Sequence, residues 1–406
     1  MSIPIPKVEI GFDITGSNAP LFTLDDPVKG LLNNTQYPLG GQIFYDVTEY
    51  LVSISIDRGK NRELDVYDPG LANIVLQNRT RVFDPLYTSS PFFGQIIPKR
   101  AIRVSYDNKL AFVGVIDDWN YSYSPSGESL VSAACSDAFV YFSNQTLDAI
   151  TYTAQKPGER IAAVLSNASV NWPLENRDLE TGFTTITGDT VEQDTNVLDY
   201  LQTVTRSEPG SLFIGRNGDV VFKDRRTTAT SGGITFADDG TGITYNQLGI
   251  EYGSENLYNE ILIGATGGTA VATNATSQAE YGVLNLTQTG LLIQSAEDVA
   301  SIATILGQKY SQPEYRFKNL EVQLDELTTA QQQQILDLEI GSVVRIKFTP
   351  NGIAPAIDRY AEVIQISNGS NQITHSVALG FSTLQNALLI LDDAEFGKLD
   401  LYALAF

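Results

Sequence analysis

The chain has 406 residues and a formal net charge of −22, with 48 acidic against 26 basic side chains. This acidity disfavours a protein that grips phosphates, because such binding depends on neutralisation by cations, so we expect no specific nucleic-acid binding. Cys135 is the single cysteine, which rules out an internal disulfide and a multi-cysteine metal site. We expect its thiol to be a small buried hydrophobe.

Apolar residues make up 42% of the chain, enough for several hydrophobic cores, and the length predicts two or three domains. No run of 18 apolar residues occurs, and the N-terminus lacks the basic and apolar regions of a secretion signal. We therefore expect a globular protein that neither spans a membrane nor is secreted by the usual route.

Short alternating segments separated by Gly, Asn, Asp and Pro predict a β-rich chain. Three hairpins are predicted, over residues 102–117, 211–224 and 360–379. Their turns are placed at Asp107-Asn108, at Asn217-Gly218 and at Asn368 to Asn371. Residues 265–282, rich in Gly, Ala, Thr and Ser, are the most loop-like region.

Amphipathic helices interrupt the strands, because apolar residues recur there at helical spacing. One begins at Pro157, a second follows a cap at Asp194 or Thr195, and a third follows Ser295. A fourth is predicted within residues 328–339. Two of these helices and one hairpin fall in the middle of the chain, which therefore differs from the strand-rich ends.

This distribution predicts a mainly β protein in which two β-barrels flank an inserted α+β module. The first barrel, with an N-terminal arm, is assigned to residues 1–145, and the module to residues 146–240. The second barrel is assigned to residues 241–385, and a C-terminal docking tail to residues 386–406. The tail carries an apolar stripe, which we expect to pack on a neighbouring subunit or on its own barrel: Leu399, Leu401, Leu404 and Phe406.

A search for catalytic, cofactor-binding or metal-binding groups finds none. The single histidine, His375, lies in an alternating run and is predicted to be a strand residue. Aspartate pairs such as Asp117-Asp118 and Asp238-Asp239 lie near turn signals, so we interpret them as solvated corners. No phosphate-binding glycine loop and no serine nucleophile elbow is present. We expect no enzymatic activity and no cofactor.

Residues 50–106 carry a recurring pattern: a strand, an Arg-Gly turn, a short strand ending in an Asn-Arg corner, Phe-Asp-Pro, and a Gly-x-x-x-Pro approach to the next strand. This pattern resembles minor tail proteins of long non-contractile-tailed bacteriophages, particularly those of actinobacterial hosts. The residues that carry it are Arg58, Gly59, Asn78, Arg79, Phe83, Asp84 and Pro85. The likeness continues through residues 198–225, 255–263 and 296–382, in the same order along the chain.

The resemblance implies a structural virion protein at the tail tip, made in the host cytoplasm and similar to baseplate hubs. Such hubs are typically trimers whose two barrels per chain form a ring, with tail-tube, distal-tail and tip or fibre proteins as partners. Three chains would carry 3 × −22, or −66, charges. We expect part of this charge to face a channel, where repulsion keeps passing DNA from adhering during genome ejection.

Three alternatives remain open at the level of sequence. A sixfold distal-tail ring shares much of the same pattern. A carbohydrate-binding tail-tip adhesin would use exposed aromatic rings such as Trp119, Tyr121 and Tyr123 to stack on sugars. A cell-wall hydrolase would need catalytic groups that the sequence does not offer.

Overall fold

The structure is a computed structural model that describes residues 3–13, 42–125, 127–224 and 233–383. Its strands are β1 (Pro6–Asp13), β2 (Gln42–Asp46), β3 (Leu51–Gly59), β4 (Leu71–Gln77), β5 (Arg100–Tyr106), β6 (Lys109–Tyr123), β7 (Ser129–Ser136), β8 (Thr146–Leu147), β9 (Ile150–Tyr152), β10 (Arg177–Leu179), β11 (Asp189–Val191), β12 (Thr195–Asn196), β13 (Ser211–Ile214), β14 (Val220–Lys223), β15 (Thr235–Ala237), β16 (Gln247–Tyr252), β17 (Glu260–Ala265), β18 (Gly268–Thr273), β19 (Asn285–Leu291), β20 (Tyr315–Gln323), β21 (Val343–Phe348), β22 (Ile357–Asn371) and β23 (His375–Thr383). Its helices are α1 (Phe139–Asn144), α2 (Pro157–Leu165), α3 (Val197–Arg206), α4 (Ala275–Tyr281), α5 (Ala296–Tyr310) and α6 (Thr329–Leu336).

One sheet of 13 strands dominates the structure. Its main path runs β16-β20-β23-β22-β3-β4-β7-β6-β5-β1-β2, and β15 and β21 attach beside β22. Strands β1 to β7 form what we call the first half, and β15, β16 and β20 to β23 form the second half. The prediction of a mainly β chain is confirmed, and the two predicted barrel regions are joined by direct pairing of β3 with β22.

Each half of the sheet covers its own hydrophobic core. In the first half the alternating residues Ile54, Ile56 and Ile74 point into a core with Val131. In the second half Ile366 and other alternating residues point into a second core. This core also includes residues from the middle of the chain. Because side chains alternate along a strand, the same pattern sends every second residue of both halves to the opposite side of the sheet.

The middle of the chain forms an α+β module around α2 and α3, with the short strands β8 to β14 beside them. Its two helices share the core of the second half. A separate unit, which we call the α5 unit, consists of β17, β18, β19, α4 and α5 around a core of its own. It is inserted between β16 and β20, within residues 241–385, which are predicted from sequence to form one barrel.

The prediction of a loop over residues 265–282 is wrong, since this range holds β18 and α4. Composition misled because β18 is an edge strand with small side chains. The helix that follows is held by polar contacts: Asn274 caps it by accepting from Ser277 N, and the buried Asn259 donates to Ser277 Oγ at 3.1 Å. These contacts replace the apolar periodicity that would have indicated structure.

The three predicted hairpins are confirmed, but one turn is misplaced. Asp107 and Asn108 both have positive φ at the β5–β6 turn, and Gly218 has φ 89° at the β13–β14 turn. In the third hairpin β22 continues to Asn371, so the turn predicted at residues 368–371 is wrong. Those residues pair with β3 on one side and β23 on the other, and the turn follows at residues 372–374.

The predicted helices are confirmed as α2, α3, α5 and α6. Ser295 caps α5 by accepting from Glu297 N and Asp298 N, as predicted. The cap of α3 is Asn196, whose side chain accepts from Asp199 N, so the placement at Asp194 or Thr195 is wrong. Helices α1 and α4 are too short to show a periodic pattern, and neither is predicted from the sequence.

Candidate functional site: the outer face of the shared sheet

Eight successive strands of the sheet present one continuous face away from both cores. They run in the order β16-β20-β23-β22-β3-β4-β7-β6. The pairing registers place the following side chains in rows across this outer face: Gln247, Glu251, Arg316, Asn319, Glu321, Gln323, Ser376, Ala378, Gln365, Ser367, Asn371, Ser53, Ser55, Asp57, Leu71, Asn73, Val75, Gln77, Leu130, Ser132, Ala134, Ser136, Asp118, Asn120 and Ser122.

The outer face is mostly polar, consists largely of small side chains, and is weakly acidic; Leu71, which is 57% exposed, is its main apolar member. Its ionisable members are Asp57, Asp118, Glu251 and Glu321, together with Arg316, which lies opposite Glu251 at one margin. Lys318 lies at the bulge of β20, on the margin of the face, and forms an ion pair with Glu251. Such a surface offers few cations to a polyanion, and most of its side chains are too small to obstruct a molecule that moves along it.

A polar ladder on the outer face joins the two halves. Asp57 of β3 accepts hydrogen bonds at Oδ1 from Ser367 Oγ (2.6 Å) and Gln365 Nε2 (3.0 Å), both in β22. At the end of β3, Gly59 adopts φ 121°, and a Cβ there would lie 2.2 Å from the carbonyl oxygen of Ile364. The Arg-Gly pair of the sequence pattern therefore fixes the backbone where the two halves meet.

Arg58 points to the other side of the sheet, where it connects three parts of the chain. Its side chain is 4% exposed and forms an ion pair with Glu339 Oε1 at 2.9 Å. It also donates from Nη1 to the carbonyl oxygen of Ile214 in the module at 3.3 Å. A buried arginine needs such partners, because an unpaired buried charge is strongly destabilising.

Phe83-Asp84-Pro85 lies in the loop of residues 78–99, which connects β4 to β5 and packs on the core of the first half. The buried Asn78 accepts from Phe83 N at 3.0 Å, and the Phe83 ring stacks on Trp119 with centroids 6.2 Å apart. Asp84 accepts from Leu86 N and from Arg81, and both contacts lower the pKa of its carboxyl group. Arg79 and Pro85 are exposed, and within the described ranges the ion pair of Arg79 is a long contact with Glu128 at 3.8 Å.

The segment that follows β3 carries a buried cluster of charges. Glu63 forms an ion pair with Lys309 of α5 and accepts from Ser382 Oγ at 2.8 Å. Burial would raise the pKa of Glu63, but Lys309 and Ser382 outweigh it, so this pKa is lowered. Burial lowers the pKa of Lys60 and raises that of Glu362. This cluster attaches the α5 unit to the shared sheet.

Cys135 and His375 are buried structural residues, as the sequence predicts. Cys135 is buried in the first core, and burial raises the pKa of its thiol. His375 begins β23 and is fully buried; neither ring nitrogen has a hydrogen-bond partner among the described residues. Burial lowers its pKa to about 4, so the ring is neutral at pH 7.

Several other predicted residues can now be placed. The stripe of Leu399, Leu401, Leu404 and Phe406 lies outside the described residues. Asp117 and Asp118 lie at a bulge inside β6, so their interpretation as a corner is wrong, whereas Asp238 and Asp239 do follow the end of β15.

The aromatic residues considered for sugar stacking are largely engaged within the protein. Trp119 packs on the first core and donates from Nε1 to the carbonyl oxygen of Ile97 at 3.1 Å. Tyr121 donates to the carbonyl oxygen of Phe83 at 2.8 Å, and only Tyr123 is well exposed. The outer face itself was missed from sequence, because it exists only once the two distant halves pair.

Within the described part of the chain, no helix is long and apolar enough to cross a membrane. Among the same residues, no group of three or more His, Cys, Asp or Glu side chains is placed to hold a metal ion.

Comparison with known proteins gives structural likenesses only. No protein-family model matches the sequence, and no curated protein does. The chain is similar to the 43 kDa tail protein of prophage MuSo2 from Shewanella oneidensis, with a TM-score of 0.57 and 14% identity over 84% of this chain and 94% of that chain. A tail protein from Neisseria meningitidis gives a TM-score of 0.56 at 11% identity, over 84% and 94%. A prophage tail protein from Listeria monocytogenes gives 0.50 at 11%, over 84% and 92%. The chain therefore has the fold of these tail proteins over most of its length.

Proposed function

We propose that the chain is a structural protein of a bacteriophage tail tip and that three copies form a ring around a channel for the genome. The observation that carries this proposal is the outer face, which is continuous over eight strands, mostly polar, and acidic apart from Arg316 at one margin. The fold shared with tail proteins supports it. DNA passing such a wall meets small neutral side chains and a few carboxylates, which repel its phosphates.

The two margins of the outer face support closure into a ring. Strand β16 pairs only with β20, and residues 118–123 of β6 pair only with β7 among the described strands. Each chain thus offers one free strand edge at either side of the face, and free edges readily pair with another chain. Contacts between two different margins are head-to-tail, and such contacts close into rings when the rotation permits.

In this proposal the chain acts in the virion of a long non-contractile-tailed phage, as a hub that joins the tail tube to the tip. Its partners are tail-tube, distal-tail and tip or fibre proteins, and DNA passes through without specific binding. The chain catalyses no reaction. Peptidoglycan release by the purified protein would contradict that part of the proposal.

The oligomeric state tests the proposal most directly. Native mass spectrometry of the full chain should give a species of about 133 kDa, which is 3 × 44.3 kDa. Six copies would support a distal-tail ring instead of a threefold hub. A protein that stays monomeric when assembled with the other tail proteins would overturn the ring.

A variant of the β16 edge distinguishes ring closure from folding. A proline in place of Ile250, in the middle of the β16 edge strand, removes one backbone donor from this strand, and proline is poorly tolerated where a strand pairs on both sides. Thermal denaturation of the variant shows whether the fold survives. A folded Ile250→Pro chain that still forms the same oligomer would exclude β16 as a contact between copies.

A further inference from the structure

The outer face is built from two units of four strands that repeat the same order. Read along the sheet, β16-β20-β23-β22 are followed by β3-β4-β7-β6. The last two strands of each unit form a hairpin, and each hairpin has a bulge, immediately before Gln365 in one and immediately before Asp118 in the other. Alignment of the two bulges makes Asp118 equivalent to Gln365, and Asn120 equivalent to Ser367.

The first strands of the two units then align in sequence as well. The pairings that lead from the bulges across the sheet make Ser55 of β3 equivalent to Gly249 of β16. Two residues further on, Asp57 is therefore equivalent to Glu251. This alignment places Ile-Asp-Arg-Gly of residues 56–59 over Ile-Glu-Tyr-Gly of residues 250–253. The repeat that the strand order shows is thus present in side chains that were not used to find it.

One end of each unit differs in its partners. In β22, residues 357–362 pair with β21, and residues 365–371, beyond the bulge, pair with β3 of the other unit. In β6, residues 109–116 pair with β5, whereas residues 118–123 pair only with β7 among the described strands. The free segment of β6 is therefore the equivalent of the segment of β22 that joins the two units, and a free edge of this kind accepts another strand.

We propose that the free segment of β6 in one copy pairs with β16 of the next copy, in the register that joins β22 to β3 within each chain. Within the chain, Ser367 lies opposite Asp57. The equivalent pairing is antiparallel and places Asn120 opposite Glu251 of the next copy. It also places Ser122 opposite Gly249 of the next copy. This contact rests on the proposed ring and specifies how its copies meet.

The side chains at this contact repeat the polar ladder of the junction within the chain. There, Asp57 accepts a hydrogen bond from Ser367 Oγ at 2.6 Å. In the contact between copies, Glu251 takes the place of Asp57, and the exposed Asn120 takes the place of Ser367. The amide of Asn120 supplies the donor, and the carboxylate of Glu251 supplies the acceptor.

One substitution in the ladder needs a cation. Asp118 takes the place of Gln365, so the contact brings a second carboxylate close to Glu251, and like charges on neighbouring strands are unfavourable. Lys318 forms an ion pair with Glu251, and its side chain is 58% exposed. This lysine therefore supplies a positive charge where the two carboxylates meet.

Paired cysteines in the full chain test the register. Directly opposite residues of antiparallel strands have Cα atoms about 4.5 to 5.5 Å apart, which a disulfide can bridge. Asn120→Cys with Glu251→Cys should therefore form a disulfide between chains under mild oxidation. Ser122→Cys with Glu251→Cys is the matched control, displaced by two residues and so about 7 to 8 Å apart, and should form at least about tenfold less. The native Cys135 is buried and does not compete.

The equivalent pair within the chain calibrates the reaction. Asp57→Cys with Ser367→Cys should form a disulfide within one chain to a similar extent. A trimer in which this pair oxidises and Asn120→Cys with Glu251→Cys does not, or in which the displaced pair alone oxidises, would overturn the register but not the ring. A chain that stays monomeric with the other tail proteins present would overturn the ring and this contact with it.

Charge substitution gives an independent readout. Asn120→Glu places a carboxylate opposite Glu251 at each of three contacts, so we expect assembly to require about tenfold more protein in sedimentation equilibrium. Adding Glu251→Gln to this variant should restore assembly. Gln77→Glu makes the same charge change on the outer face of β4, away from either margin, and should leave assembly unchanged. Equal assembly of the Asn120→Glu and Gln77→Glu variants would contradict the proposed contact.

Discussion

The rings of Tyr106 and His375 pack against each other across the junction of the two halves, with centroids 4.2 Å apart and planes inclined by 36°. Tyr106 ends β5 in the first half, and His375 begins β23 in the second half. The Tyr106 hydroxyl also shares a hydrogen bond with Ser370 Oγ of β22 at 2.7 Å. The junction is thus held on its inner side by these rings and on its outer side by the Asp57 ladder.

We expect His375 to make the protein less stable as the pH falls. Burial lowers its pKa to about 4 from 6.5, although the carboxylates of Asp107 and Asp325 act in the opposite direction. Between these two values the unfolded chain binds a proton that the folded chain does not. The free energy of unfolding therefore decreases as the pH falls through this window, by at most about 1.4 kcal/mol per pH unit.

Urea denaturation at several pH values between 5 and 7 measures this effect. His375→Phe keeps an aromatic ring against Tyr106 and removes the titrating group. The difference in unfolding free energy, wild type minus variant, should rise with pH over this range. A difference that stays constant with pH would contradict a lowered His375 pKa.

Asp137 should produce the opposite pH dependence. Burial raises the pKa of Asp137 from 3.8 to about 7. Hydrogen bonds from Phe139 N (2.9 Å) and Gly70 N (2.7 Å) lower this pKa but do not outweigh burial. Between these values the folded chain holds a proton that the unfolded chain has lost, so its contribution to stability is lost as the pH rises. The unfolding free energy of wild type minus Asp137→Asn should decrease between pH 5 and 7. A difference that stays constant over this range would show that the hydrogen bonds outweigh burial and keep Asp137 ionised.

Gly59→Ala should destabilise the protein strongly. The added methyl group would meet the Ile364 carbonyl oxygen at 2.2 Å, in a backbone conformation with φ 121° that side chains disfavour. We expect a loss of about 3 kcal/mol or more, measured by chemical denaturation. Gly253→Ala is the control, because a Cβ at Gly253 has no atom within 4 Å and should change stability by less than about 0.5 kcal/mol. Equal effects of the two substitutions would mean that the junction can relax around Gly59.

Asn78→Ala should destabilise the loop of residues 78–99, whereas substitution of the neighbouring Arg79 should have little effect on stability. Asn78 is fully buried and accepts from Phe83 N, so its loss leaves a buried donor unpaired and costs about 2 kcal/mol. Arg79→Ala removes only an exposed ion pair and should cost less than about 0.5 kcal/mol. Limited proteolysis within residues 79–99 should become faster in the Asn78 variant alone. Faster cleavage in both variants would mean that the hydrogen bond between Phe83 N and Asn78 is not what holds the loop in place.

Asp118→Lys should make the proposed channel wall bind DNA. Asp118 is exposed on the outer face, and three copies would bring three cations to one level of a ring. We expect retarded DNA release from particles that carry the variant, and DNA binding by the isolated ring that weakens with salt. Glu175→Lys makes the same charge change at an exposed position in the module and should have neither effect. Equal DNA binding by the two variants would contradict the assignment of the channel wall.

Local patterns predicted local structure well. The alternation in β5 and β6, the turn at Asp107-Asn108 and the Ser295 cap depend on neighbours in sequence, and they are confirmed. The turn misplaced at residues 368–371 shows where such reasoning fails. A sequence that favours a turn is held straight there because its backbone pairs with β3 and β23 at the same time.

The remaining features depend on contacts between distant residues. The outer face forms only because β3 pairs with β22, and no local sequence pattern predicts that pairing. The buried Arg160 of the module is another case, since it donates to Tyr200 at 2.6 Å and to the Thr153 carbonyl oxygen at 2.8 Å. In sequence it is one charged residue in a helix, and its burial follows from how the helix lies on its neighbours.

Because β3 pairs with β22, one edge of β3 stays unpaired during synthesis until β22 has been made. Asp57 and Ser367 are separated by 310 residues, so one edge of β3 leaves the ribosome long before its partner exists. At ordinary rates of translation this interval is about 15 to 60 seconds. During that time the nascent first half exposes an unsatisfied backbone edge, at which newly made chains would stick to one another. Overproduction should therefore favour inclusion bodies, and a trigger-factor-type chaperone or slower translation should reduce them.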